Sequence, residues 1–316
     1  MSAGPEGRCL PRPDRRQFVL IHLLINCIQN RLFMRLFVVL CVLYPVACLL
    51  ADDTALNDGS EGPMPVGGLN GPESIIQMVS ETIDVDMGRK VSDVDCHFTF
   101  RSHKRSGNAF QLVGFPDLAA AVAEAERRTG GKRDVSWKYQ EPTTGPIENL
   151  QTFVDGQAVK AELKYGWVSF RDGYMAFAPE NDQDRILMAW YTVPVSFPPE
   201  RDVLIERRYR VPNGLQVFDV VIFNYSTATG GVWKDAIEQM VVNVNLRDGL
   251  NVNDLEWPEG RSDEQIEQTS CSPDRKEWKV ISSTELQLVW RHFEPRTEEN
   301  RREFRLATKA SKHPVQ

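Results

Sequence analysis

The sequence predicts a mainly β protein: an antiparallel β-sandwich, or two sub-sandwiches, with one short helix inserted at 118–128. Three observations predict it. Short runs with strand-like alternation recur with turn signals about every eight to twelve residues. The densest of them, Tyr209 to Leu246, reads as strand, turn, strand, glycine-rich loop, strand. Only one segment carries both the start and the stop signals of a helix.

The chain has 316 residues and a formal net charge of -7. Residues 1–33 are arginine-rich and unlike the remainder, and read as an over-extended start before Met34. After Arg35, Leu36 to Ala51 contains no charge. That run is shorter than the ~20 residues that span a bilayer. A basic start, an apolar centre and a small terminal residue are the pattern of a signal peptide, 34–51. The competing reading is an anchor from Phe18 to Ala51 in the inner membrane, which would hold Arg31 and Arg35 at high cost. Without residues 1–51 the chain keeps 31 basic and 42 acidic residues, a net of -11. So acidic a domain gains nothing from counterion release, which argues against a nucleic-acid partner. Membrane contact is expected only through an uncleaved signal segment.

Residues 52–72, rich in Gly, Asp, Asn and Pro, read as a flexible lead-in to a β-rich domain at 73–295. Ile83, Val85 and Met87 alternate with Asp84 and Asp86, then Val94, Cys96, Phe98 and Phe100 alternate with Asp95, His97 and Thr99. Across the Gly88-Arg89-Lys90 turn this is an antiparallel hairpin, with Cys96 inward and His97 outward. Phe110 to Phe115 is a strand that ends at Pro116. Asp117 caps the helix Leu118 to Arg128, which closes with Arg127, Arg128 and Gly130 and lies in a crossover. Val135 to Tyr139 and Leu150 to Val154 are short strands, and Asp155-Gly156 is a hairpin turn. Strands follow at Ala158–Leu163, Trp167–Phe170, Tyr174–Phe177 and Ile186–Val193, with a proline-bounded connector from Pro194. Val203–Val211, Val217–Phe223, Val242–Leu246, Lys276–Ile281 and Leu286–Trp290 complete the pattern. The tail 296–316 is charged and expected to fray.

Within Thr229-Gly230-Gly231-Val232-Trp233, Gly230 and Gly231 permit a sharp bend that folds the Trp233 indole inward. Positive φ at Gly230 would explain its glycine. Four of six cysteines leave with the leader; Cys96 and Cys271 remain, a pair able to form one disulfide in an oxidising compartment, or else two buried thiols.

The chain has no phosphate-binding glycine loop, no GxSxG and no HExxH. Cys96 and His97 are strand neighbours on opposite faces and cannot share a proton. Histidines are few and none is paired at helical spacing, so no metal is expected. Glu180 to Asp184 places oxygen ligands at alternate positions but lacks the glycine and distal glutamate of a calcium loop. Glu206, Asp219, Asp235 and Glu238 could supply a carboxylate pair for glycoside cleavage. The seven tryptophans read as packing rather than a sugar platform. No catalytic residue and no cofactor is assigned.

Several pieces in order resemble an exported bacterial family known only as a domain of unknown function. They are Val66-Gly67-Gly68-Leu69, the MVSE strand Met78–Glu81, Gly114-Phe115-Pro116 and the Val154-Asp155-Gly156 turn. The block of Tyr225, Thr229, Gly230, Trp233 and Ile237 follows, then Leu288, Trp290, Phe293 and Pro295. Lys234-Asp235-Ala236 stands where family members carry Gly. The resemblance implies export and a β-rich fold, and no catalytic residues. The expectation is an exported protein, periplasmic or extracellular, with a non-catalytic binding or structural role. Its partner would be an envelope protein or a glycan. The alternative is a carboxylate-dependent hydrolase of polysaccharide or peptide.

Overall fold

The computed structural model describes residues 63–66, 75–129, 147–171, 174–177, 186–216, 219–257, 271–295 and 303–309. The described residues all belong to one compact unit within 54–316. The leader, the Val135–Tyr139 strand and the Glu180–Asp184 run lie outside the described residues. No described helix is long and apolar enough to cross a membrane.

The protein is mainly β. Its largest sheet is assembled on the predicted hairpin, β2 (Ile76–Met87) and β3 (Val91–Ser102). Strands β5 (Glu148–Val154), β6 (Gln157–Val159) and β10 (Asp202–Pro212) extend it on one side. On the other side stand β13 (Ile237–Leu246), β14 (Trp278–Val280) and β15 (Glu285–Phe293). The order is β14-β15-β13-β2-β3-β10-β5-β6. One pair departs from the antiparallel expectation: β13 lies parallel to β2. The chain between them runs through the other sheets, long enough for the crossover that parallel pairing requires.

A five-stranded sheet is built from β1 (Met64–Pro65), β4 (Ala109–Pro116), β7 (Glu162–Arg171), β8 (Tyr174–Phe177) and β9 (Ile186–Phe197). Its order is β1-β4-β9-β7-β8. A three-stranded sheet joins β11 (Gly214–Gln216), β12 (Val220–Ser226) and β16 (Glu303–Ala307). Both smaller sheets contribute to the core formed on the inner face of the large one. Phe98 and Phe100 of β3 meet Phe115 of β4 and Phe197 of β9 at 6.0 and 5.9 Å between ring centroids. Tyr225 of β12 reaches β2 and stacks on Phe304 of β16 at 5.3 Å. Helix α1 (Leu118–Thr129) starts where Asp117 Oδ1 accepts from Ala120 N at 2.9 Å, the expected cap.

Three expectations are corrected. Strand β9 continues through Pro194 to Phe197. Past Thr192 it pairs only with β4, so the missing N–H of Pro194 is no loss. Strand β1 falls in the expected flexible lead-in, and its Met64 is buried. Strand β16 falls in the tail expected to fray, where Phe304, Leu306 and Ala307 are fully buried. In each case the apolar residues find a partner strand, so they order against it.

Candidate functional site

Alternation makes the outer face of the large sheet polar. Inward positions of β2, β3, β10 and β13 carry Ile83, Val94, Val203 and Val242, so the residues between them stand out. Register aligns those outward residues into two rows across the strands. One row runs Gln287, Asn243, Asp84, Asp95, Arg208, Gln151; the other runs Glu285, Asn245, Asp86, Asp93, Arg210, Glu148. All but Glu148 line a groove of about 850 Å³, with Lys279 and Ile281 at its β14 end.

Asp84 faces Asp95 and Asp86 faces Asp93, like charges directly opposite, which is unfavourable by itself. Neighbours offset it. Asn243 Nδ2 donates to Asp84 Oδ1 at 2.8 Å, and Asn245 Nδ2 to Asp86 Oδ1 at 2.9 Å. Gln287 Nε2 donates to Asn243 Oδ1 at 3.0 Å. Arg210 makes two bonds to Asp93, at 2.9 and 3.1 Å, and Arg208 Nε lies 3.0 Å from Asp95. Arg247 pairs with Asp86. These groups are part-exposed, so each pair contributes at most about 1 kcal/mol to stability. Their effect is to hold the side chains in one arrangement while leaving hydrogen-bonding capacity toward solvent.

A second polar group is buried. In β2 the register shifts between Met78 and Ser80, with Val79 as the extra residue. The bulge inverts the alternation and turns Glu81 into the core, where it is 1% exposed. Tyr225 OH donates to Glu81 Oε1 at 2.8 Å. Burial raises the Glu81 carboxyl to about 7, against the opposing effect of that hydrogen bond. On β10, Val203, Ile205, Arg207, Tyr209 and Val211 all face inward. The Arg207 guanidinium lies 4.6 Å from both the Phe115 and the Tyr209 ring centroids. Arg207 is opposite Cys96, whose thiol is pushed up by burial and by the Glu81 carboxylate. Asp117 is raised by burial too. A raised thiol is a poor nucleophile, and Cys96 and His97 do lie on opposite faces.

The disulfide expected between Cys96 and Cys271 is not formed; both are buried free thiols. Cys96 occupies the centre of the large sheet. Cys271 is held by β16, its Sγ donating to Ala307 O at 3.3 Å and accepting from Ala307 N at 3.2 Å. Burial pushes its thiol up to about 12.

Trp233 is fully buried, as its loop predicts. Its ring meets Phe100 at 4.7 Å and its Nε1 donates to Pro63 O at 2.8 Å. Gly230 and Gly231 lie in a 3-10 turn, Ala228–Val232. Gly230 is not among the positive-φ residues. It is small for another reason: a Cβ there would come 2.8 Å from Ile237 Cδ1 and 3.3 Å from Pro295 Cγ. Trp190, Trp233, Trp278 and Trp290 are buried, in keeping with packing roles.

Three of the four carboxylates considered for hydrolysis pair with different cations. Glu206 pairs with Arg208, Glu238 with Arg101 and Asp235 with Lys234, while Asp219 stands exposed before β12. Among the described residues no group of His, Cys, Asp and Glu could hold a metal ion. The polar rows and the buried charges Glu81 and Arg207 are not singled out by reading the sequence strand by strand. A signal exists: counting back by two from Ile83, or on from Ile205, places a charge at an inward position.

No family model and no curated protein matches the chain. Among solved structures it is similar to a Legionella pneumophila protein provisionally described as nutrient-binding. The TM-score is 0.51 at 18% identity, over 80% of this chain and 71% of that one. It is also similar to an M1 zinc metallopeptidase from Deinococcus radiodurans, with TM-score 0.29 at 8% identity, over 70% of this chain and 40% of that one. The first likeness shows a shared fold. The second is too distant to carry an argument.

Proposed function

We propose that this is an exported, non-catalytic binding protein that takes a polar small molecule or chain on the outer face of its large sheet. The observation that carries the reading is the groove of about 850 Å³, crossed by rows of carboxylates, carboxamides and guanidinium groups already fixed by their neighbours. A groove with convergent polar groups is the first candidate for a ligand site, and preorganised side chains lose little entropy when a ligand arrives. The fold shared with the Legionella protein is consistent with such a role. The signal-like segment 34–51 supports export. The hydrolase reading has less support, because three of its four carboxylates are each held by a different cation.

The test is an NMR assay of the purified protein with a panel of oligosaccharides, short peptides, amino acids and polyamines, following ligand line-broadening and ligand integrity together. Broadening without conversion supports a binding protein. Accumulation of a cleaved product would overturn the non-catalytic reading.

A further inference from the structure

Resting on the binding reading above, we infer that the groove takes a neutral, hydroxyl-rich ligand, a saccharide chain laid across the strands. Charge decides the class first. The lining carries five acids and three bases, which disfavours an anionic ligand. Two of the three bases are already engaged: Arg210 bidentately by Asp93 and Arg208 by Asp95, while Lys279 stands exposed at the β14 end. An anionic ligand that used the arginines would have to break those pairs, and otherwise it would find only the single ammonium of Lys279 beside five acids.

Hydrogen-bonding capacity decides next. Asn243 uses one N–H on Asp84 and one lone pair on Gln287, and retains an N–H and a lone pair. Asn245 donates one N–H to Asp86 and keeps the rest. Adjacent hydroxyls of a sugar, one donating and one accepting, match such a carboxamide. The carboxylate oxygens beside them add further acceptors for hydroxyl protons. Half-exposed Ile281 offers an apolar contact for the C–H face of a ring at the β14 end.

Shape decides the length. The first row crosses six strands. At about 4.8 Å between strands it extends ~24 Å, which suits a chain better than a single sugar.

The experiment applies the labelled full chain to a glycan array presenting neutral, sialylated and sulfated glycans. Calorimetry of the retained glycan at about 0.1 M and about 1 M salt follows, where the Debye length falls from ~10 to ~3 Å. The expected result is retention of neutral glycans, with a Kd that changes less than about twofold with salt. Asn243→Leu should weaken it at least about tenfold while the protein stays folded with only a small drop in its unfolding midpoint, since Asn243 lies on the solvent face but bonds Asp84 and Gln287. Preference for sulfated or sialylated glycans, or no retention of any glycan, overturns the saccharide assignment. Parallel calorimetry with spermidine and glutamate separates the two readings. Either one bound and lost in Asn243→Leu means that the groove binds but not saccharide. Glycan binding unaffected by Asn243→Leu overturns the groove as the site.

Discussion

Glu81→Gln offers a quantitative test of the core. Glu81 is buried on β2 with Tyr225 OH as its donor, and burial raises its carboxyl from the ordinary 4.5 to about 7. Between these two values the folded state holds a proton that the unfolded state has released. Stability therefore falls as pH rises across that window, and the loss is complete above about pH 8. At about 1.4 kcal/mol per pH unit, the interval amounts to roughly 3 kcal/mol. Tyr225 is itself raised well above its ordinary value, so it stays protonated throughout. Glutamine keeps the shape and an acceptor for Tyr225 but has no charge to bury. Urea unfolding of both proteins between pH 4.5 and pH 8 reads the effect as the difference between them, which cancels every other titrating group. The wild type should lose about 3 kcal/mol relative to the variant as pH rises. A difference that stays flat with pH would show that Glu81 is not buried as described, and would refute the bulge-driven inversion of β2.

Three further outcomes are expected. Trp233→Ala should cost about 3–5 kcal/mol in unfolding free energy, as buried aromatic truncations do, because it removes the Phe100 contact and the bond to Pro63 O. A melting shift of only a degree would place the indole on the surface instead. Gly114→Ala should release β1, since a Cβ there would overlap Val66 Cγ2 and press on Trp190 Cβ; limited proteolysis would show new cleavage near Met64, and an unchanged digest would count against the packing. Thiol titration in urea without reductant should find both Cys96 and Cys271 reactive, whereas finding neither reactive would indicate a disulfide between them.

Period-two alternation makes the hairpin of β2 and β3, the inward Cys96 and the outward His97 legible in the amino-acid sequence alone. So are α1, from its Asp117 cap and basic last turn, and the buried Trp233, from its glycine loop. The misses share a physical cause: they depend on partners distant in sequence. Pro194 reads as a strand end unless β9 is known to lack a neighbour on one side there. Met64 and Phe304 read as parts of loose ends unless β4 and β12 are known to accept them. The polar rows are visible as single residues, Asp84 or Asn243, but their alignment comes from register across six strands. Glu81 and Arg207 need only an inward parity count, yet a charge at such a position is so costly that solvent exposure is the default reading.

The claim that the outer face of the large sheet is the binding face is tested most directly by an amide-resolved NMR titration of the full chain with a neutral glycan retained on the array. Shifts are predicted at Asp84, Asp86, Asp95, Asn243 and Asn245, with the five-stranded sheet unmoved. Shifts centred instead on that sheet, around the exposed Phe110 of β4, with the groove silent, would contradict the account.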